Sequence, residues 1–145
     1  MFANEFDLLD VVLDAEAYPL EKAHKNDAGY DIRTPNKFYM WANSRKNIDT
    51  GIHIGIPSGY YAKIESKSGL MTKHGITAMG GVIDSGYTGS IVVALRNETD
   101  IGYQFEAGDK IAQIIFHRCE SPEINVVDSL PETERGDGGF GSTGR

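Results

Sequence analysis

The segment Arg135-Gly136-Asp137-Gly138-Gly139-Phe140-Gly141-Ser142-Thr143-Gly144-Arg145 collects the groups that bind phosphate: guanidinium ends, two hydroxyls and a run of backbone amides left uncovered by glycine. One aromatic ring, Phe140, stands among them, and such a ring can stack on a nucleobase. Each glycine raises the entropy lost on ordering, so the segment alone in water is expected to be disordered. On composition alone it is a linker or a loose end. Read as chemistry, it is an arm that orders over a nucleotide.

Other residues upstream carry reactive or binding groups. Asp84, between Ile83 and Ser85, is either a turn residue or a carboxylate free to take a proton from water. With a reference pKa of about 4 it is ionised but weakly basic, and partial burial would make it a better base. Ser68-Gly69 after Lys67 offers a hydroxyl, amides and an ammonium, or else ordinary helix N-cap chemistry. Gln113 lies in an apolar run, where a buried amide must find partners. Gly80-Gly81 is a plain hairpin signal that also lets the main chain approach a ligand closely. Tyr87 reads as a half-buried strand aromatic, and Asp31 as a strand-end or turn carboxylate.

The elements that must position these groups are short strands. Val11–Leu13, Ile52–Ile56 (turning at Pro57-Ser58-Gly59), Tyr60–Glu65, Ile91–Leu95, Ile111–Phe116 and Ile124–Val127 are rich in β-branched or aromatic residues and bounded by turn residues. The continuous runs 91–95 and 111–116 read as buried strands. Ser68–His74 predicts the one short helix, with Gly75 at its C-cap. Residues 4–13 are ambiguous, because Phe6, Leu9 and Leu13 also fit a helical stripe. The expected fold is an all-β sandwich or barrel, with a compact body over residues 1–128 and a flexible arm over 129–145.

Bulk properties bound the function. A chain of 145 residues is one domain, and the lone Cys119 excludes a disulfide framework and a cysteine-based metal site. A net charge of −7 opposes nonspecific nucleic-acid binding but admits a mononucleotide in a locally cationic pocket. No signal peptide and no apolar stretch of membrane-spanning length is visible, so an intracellular, cytoplasmic protein without a membrane partner is the expectation. His24, His53, His74 and His117 show no metal-ligand spacing.

Five segments together resemble the five motifs of the trimeric deoxyuridine triphosphatase (dUTPase) family, in order over residues 27 to 144. They are Asp27-Ala28-Gly29-Tyr30-Asp31-Ile32, Ser66-Lys67-Ser68-Gly69-Leu70, Gly81-Val82-Ile83-Asp84-Ser85-Gly86-Tyr87-Thr88-Gly89, Gly108-Asp109-Lys110-Ile111-Ala112-Gln113-Ile114, and the glycine-rich arm. The arm matches the family's Arg-Gly-x-Gly-Gly-Phe-Gly-Ser-Thr-Gly at every fixed position. The resemblance implies a jelly-roll-like β-barrel, a homotrimer with shared active sites, and Mg²⁺-dependent hydrolysis of dUTP to dUMP and pyrophosphate. It implies that Asp84 activates the attacking water and that Asp31 holds a magnesium-bound water. Tyr87 would face the deoxyribose and exclude a 2′-hydroxyl, and backbone at Gly81 would read uracil. Lys67, Ser68, Gly69 and Gln113 would meet phosphates, while Arg135, Phe140, Gly141 and Ser142 would close the arm over substrate.

The chain departs from the family pattern at several places. Ser66 and Lys67 stand where Pro and Arg are usual, Ala78 where many members carry Asn, and Thr88 and Ser90 where Arg and Glu are frequent. Lysine keeps the charge at 67 but loses the bidentate fork of arginine. Two rival readings share the fold. A dCTP deaminase needs a glutamate near the base-reading hairpin, and none lies between Glu65 and Glu98. A regulatory, protein-binding module would not need the full set of catalytic-type residues.

Overall fold

The computed structural model describes residues 6–141. Ser142, expected to bind substrate, and Thr143 lie outside the described residues. The described residues form eleven strands and one helix: β1 (Asp10–Leu13), β2 (Tyr30–Arg33), β3 (Phe38–Met40), β4 (Arg45–Asp49), β5 (Ile52–Gly55), β6 (Tyr60–Glu65), α1 (Ser68–His74), β7 (Ile76–Ala78), β8 (Val82–Ile83), β9 (Val92–Asn97), β10 (Tyr103–Phe105) and β11 (Lys110–Arg118). Four antiparallel sheets result, with strand orders β1-β5, β10-β3, β2-β11-β6-β8 and β4-β9-β7. This is the nearly all-β architecture that the spacing of short strands and turns predicts, and it has the jelly-roll-like form that the resemblance implies.

Alternation explains the core. Along β6, Tyr60, Ala62 and Ile64 point inward while Tyr61, Lys63 and Glu65 do not. Those residues join Ile32, Ile52, Ile76, Leu95, Phe105 and Ile114 in one buried cluster dominated by isoleucine, whose branched Cβ suits a pleated, half-buried surface. The 91–95 run, expected to be buried throughout, is covered on one face only. Ile91, Val93 and Leu95 are buried, but Val92 is half exposed, because an antiparallel sheet in a single chain has no second layer to bury its outer face.

Several strands escape the sequence pattern. β4 reads Arg-Lys-Asn-Ile-Asp and buries only Ile48; its partner β9 supplies the register that a polar strand cannot specify for itself. Residues 10–13 form a strand and not a helix, paired to β5. The expected strand at 124–127 is absent: these residues are exposed and irregular and pair with no strand among the described residues. The last backbone bond to the body is Cys119 N–H to the Gly59 carbonyl, at 2.8 Å. The expected boundary at 128/129 therefore falls within an exposed segment. No helix among the described residues is long and apolar enough to cross a membrane.

Two features shape the site. A register shift at Ile111 makes β11 bulge against β2, so that Lys110 pairs with Arg33, yet Ala112 pairs with Ile32 and Gln113 with Asp31. In an unbroken strand Lys110 and Gln113 would lie on opposite faces; the extra residue places both on the face that carries Asp31. The second feature is α1, which stops at Gly75 in the left-handed conformation, as expected.

Asn97 is the polar keystone of the far end. Fully buried, it donates from Nδ2 to the carbonyls of Trp41 (3.3 Å) and Ile101 (2.8 Å), and its Oδ1 accepts from Thr99 N–H (3.0 Å) and Thr99 Oγ1 (2.8 Å). Asn97→Ala removes all four of these hydrogen bonds at a fully buried position and is expected to lower stability by about 2–3 kcal/mol. Urea unfolding should show a lower midpoint at unchanged slope. A wild-type midpoint would refute the role.

Candidate active site

The sequence-predicted residues fall into two clusters on the β2-β11-β6-β8 sheet. The first surrounds Asp31, which is only 4% exposed. Lys67 Nζ donates to Asp31 Oδ1 at 2.6 Å and Lys110 Nζ lies 3.1 Å from Oδ2. Burial pushes the carboxyl up, but the hydrogen bonds and charges of Lys67 and Lys110 outweigh it and hold its pKa below the ordinary carboxylate value. Asp31 is therefore ionised at neutral pH and loses its stabilising contribution only in strong acid. The Lys67 ammonium carries three hydrogens, so this bond leaves others for a phosphate oxygen.

Gln113 adjoins this cluster in register with both Asp31 and Glu65. Its Nε2 donates to the Ser66 carbonyl at 3.0 Å, which answers the requirement that a half-buried amide find a partner. A Cβ on Gly29 would sit 2.5 Å from Gln113 Oε1, so a larger residue there would displace the amide from this position. The neighbouring Ser68-Gly69 begins α1. Lys67, not Ser68, occupies the N-cap position and makes no side-chain capping bond; the first intrahelical bond is Met71 N–H to the Lys67 carbonyl, at 3.0 Å. The leading amides and the Ser68 hydroxyl thus stay uncommitted to the fold.

The second cluster lines a cleft of about 220 Å³ formed by Ile64, Gly81, Val82, Ile83, Asp84, Tyr87, Ile91 and Val92. Gly81 has φ +109° and its missing Cβ would lie 2.9 Å from Ile64 Cβ, so no other residue fits there. Ile64 N–H donates to the Gly81 carbonyl at 2.8 Å, fixing the hairpin. Ser66 Oγ accepts from Ala78 N–H at 2.9 Å, so two of the departures from the family pattern hold one another. Asp84 opens a turn closed by Tyr87 N–H to its carbonyl at 3.2 Å. The Tyr87 ring packs against Gly89, and its hydroxyl donates to the Ser90 carbonyl at 2.8 Å. The Asp84 side chain is exposed at the cleft rim, and nothing among the described residues covers it.

The chain does not bring the two clusters together. Ile83 pairs with Ala62 and Gln113 with Glu65, three residues along β6, which is about 10 Å at the strand rise. Asp84 lies beyond Ile83 on the side away from Glu65. The described part of the arm joins neither cluster. Beyond Glu120 its described residues bond only among themselves, as in Arg135 Nε to the Gly138 carbonyl at 2.5 Å and Gly136 N–H to Thr133 Oγ1 at 3.0 Å. Phe140 is fully exposed with φ +50°, followed by Gly141 at φ +86°.

Lys110 is the site residue that motif reading misses. It stands in the fourth motif, but its role depends on the bulge, which no spacing rule announces. Among the described residues, no three His, Cys, Asp or Glu side chains group as a metal cage.

Comparison with known proteins agrees with this arrangement. The dUTPase family matches residues 15–144. The deoxyuridine 5'-triphosphate nucleotidohydrolase of Paramecium bursaria Chlorella virus 1 is 39% identical over 137 residues, covering 94% of this chain and 96% of that protein. Among solved structures, a mutant of the Staphylococcus bacteriophage 80alpha dUTPase with dUpNHpp superposes with a TM-score of 0.88 at 28% identity, covering 96% of this chain and 99% of the other. A mutant dUTPase from phage phi11 of S. aureus, described with a structural Mg(II) ion, has a TM-score of 0.79 at 28% identity and covers 86% and 99%. With the β architecture, all five motifs and a match over almost its whole length, the chain belongs to the dUTPase family and is a nucleotide hydrolase acting on dUTP.

Proposed function

We propose that Asp84 takes a proton from water as that water's oxygen bonds the α-phosphorus of dUTP. The bridging oxygen between the α- and β-phosphorus leaves with pyrophosphate, and dUMP remains. The observation that carries this reading is the grouping of Asp84, Gly81 and Tyr87 on one cleft. An exposed carboxylate there can reach a water, the Gly81 backbone can face a base edge, and a tethered tyrosine ring can exclude a 2′-hydroxyl. Lys67, Ser68, Gly69 and Gln113 meet the phosphates, where positioning and charge neutralisation supply most of the rate.

Mg²⁺ fits as an ion carried in by the triphosphate. Without a carboxylate cage, Asp31 would hold it through water, which needs the ionised carboxylate that Lys67 and Lys110 maintain. When bound, the ion would neutralise phosphate charge.

The division of the site supports a homotrimer with shared sites. The base and water half at Asp84 and the phosphate half at Lys67 and Gln113 face different stretches of β6, and the described part of the arm makes no hydrogen bond to its own body. Each site would then join parts of different chains, with Arg135, Phe140, Gly141 and Ser142 arriving from an arm. Exposed apolar groups such as Val82 and Val92 suit a contact with another copy.

Asp84→Asn is expected to lower kcat by about 10²–10⁴-fold with little change in dUTP affinity, since the amide keeps the shape and loses the proton acceptor. Pyrophosphate release from dUTP, with dCTP, dTTP and UTP as controls, measures it; near wild-type kcat refutes the assignment, and ammonia release from dCTP would indicate a deaminase.

Deleting residues 135–145 is expected to cripple kcat while leaving the melting temperature nearly unchanged, because the described part of the arm buries almost nothing against the body. Mixing inactive Asp84→Asn chains with inactive arm-deleted chains should restore some activity. A stable, active monomer in sedimentation would overturn the shared-site reading.

A further inference from the structure

The loop that carries Asp84 and Tyr87 is tied back to the body by a histidine. His53, on β5, lies with Nδ1 2.8 Å from the Thr88 carbonyl oxygen and Nε2 3.2 Å from Asp14 Oδ2. A carbonyl and an ionised carboxylate only accept, so both ring nitrogens must carry hydrogen to make both bonds. Neutral imidazole has one N–H and loses one bond in either tautomer, leaving a lone pair facing an oxygen. Every charged group turned toward the ring is acidic. Asp14 and Asp10 face it from the β1 side and Asp49 from the end of β4, while Thr88 presents a carbonyl dipole. The backbone bond to Thr88 first, and the bond to Asp14 next, raise the His53 pKa above its ordinary value despite some desolvation.

The same loop has a second tie. Ser90 Oγ donates to Asp49 Oδ1 and accepts from Gly51 N–H at 3.0 Å, while Gly51 N–H also points to Asp49 Oδ1 at 3.1 Å. These ties run through Thr88 and Ser90, two positions at which this chain departs from the family pattern.

We propose that His53 is a positioning residue: as an imidazolium held by Asp14, it braces the Thr88 carbonyl and so sets the loop that presents Asp84 and Tyr87. This rests on the assignment of that loop to the reaction. The sign follows from the raised pKa: the brace is complete below the ordinary histidine pKa and is lost as pH rises through the higher, folded value. Both partners are partly exposed, so the effect is that of one hydrogen bond and not of a buried ion pair.

The pH profile of kcat for dUTP on the full-length enzyme tests it, from about pH 6 to about 9. Wild-type kcat should fall roughly two- to tenfold, the worth of one hydrogen bond, at the pH where NMR shows the His53 ring losing its proton. His53→Ala should sit at the low plateau at every pH. Asp14→Asn should abolish the fall, because an asparagine amide donates to the neutral ring while Nδ1–H stays on Thr88. Melting temperatures confirm that both variants fold, and the NMR titration of His53 reads the brace without turnover. A flat wild-type profile, or a fall that survives unchanged in His53→Ala or Asp14→Asn, would overturn the proposal. An active Asp84→Asn enzyme would instead sink the loop's role in the reaction, so the two failures are distinguishable.

Discussion

A carboxylate that is almost completely buried can stay ionised only if cations face it, and Asp31 sets that requirement for this chain. Its two oxygens take Lys67 and Lys110, so strands β2 and β11 and the entry to α1 must converge on one point. Removing either lysine leaves charge less compensated; removing Asp31 leaves two ammoniums side by side. The arrangement therefore couples the folding of three separate sequence segments to the presence of a buried carboxylate flanked by two lysines. The acidic net charge of −7 does not contradict it, because the cations are local.

The bulge at Ile111 makes the convergence possible. Ile111 and Ala112 are both fully buried, which an unbroken strand would not allow on a one-sided sheet. The core absorbs the extra residue as packed apolar surface, and the chain gains a face on which Lys110, Gln113 and Asp31 stand together. Stability and site geometry thus come from the same local irregularity.

Elsewhere the described chain leaves several surfaces open. Val82 and Val92 are exposed beside the cleft, Asp84 lies open at its rim, and the segment from Glu120 onward touches little but itself. These features share a physical origin: nothing among the described residues covers these surfaces. The loop at 84–90 shows a different economy, with ties from Ser85 to the Ile56 carbonyl, from Thr88 to His53 and from Ser90 to Asp49 holding a turn that has almost no buried side chains.

The residue sequence by itself determined the chemical inventory. The order of the motifs, the glycines that admit close backbone approach, the helix ended at Gly75 and the apolar strands β5, β6 and β11 are all local signals, legible because periodicity and turn chemistry act over a few residues. Polar strands such as β4 and the short β2, β3 and β10 were not legible, since their pairing comes from neighbours distant in the chain. Nor was the strand expected at 124–127 realised, because β propensity alone does not make a strand without a pairing partner, and this run has none among the described residues. Only the tertiary structure decided that Lys110 meets Asp31, that Asp84 stays exposed and apart from Gln113, and that His53 reaches Thr88. Each of those depends on register across a sheet, and one inserted residue reverses which side chains share a face.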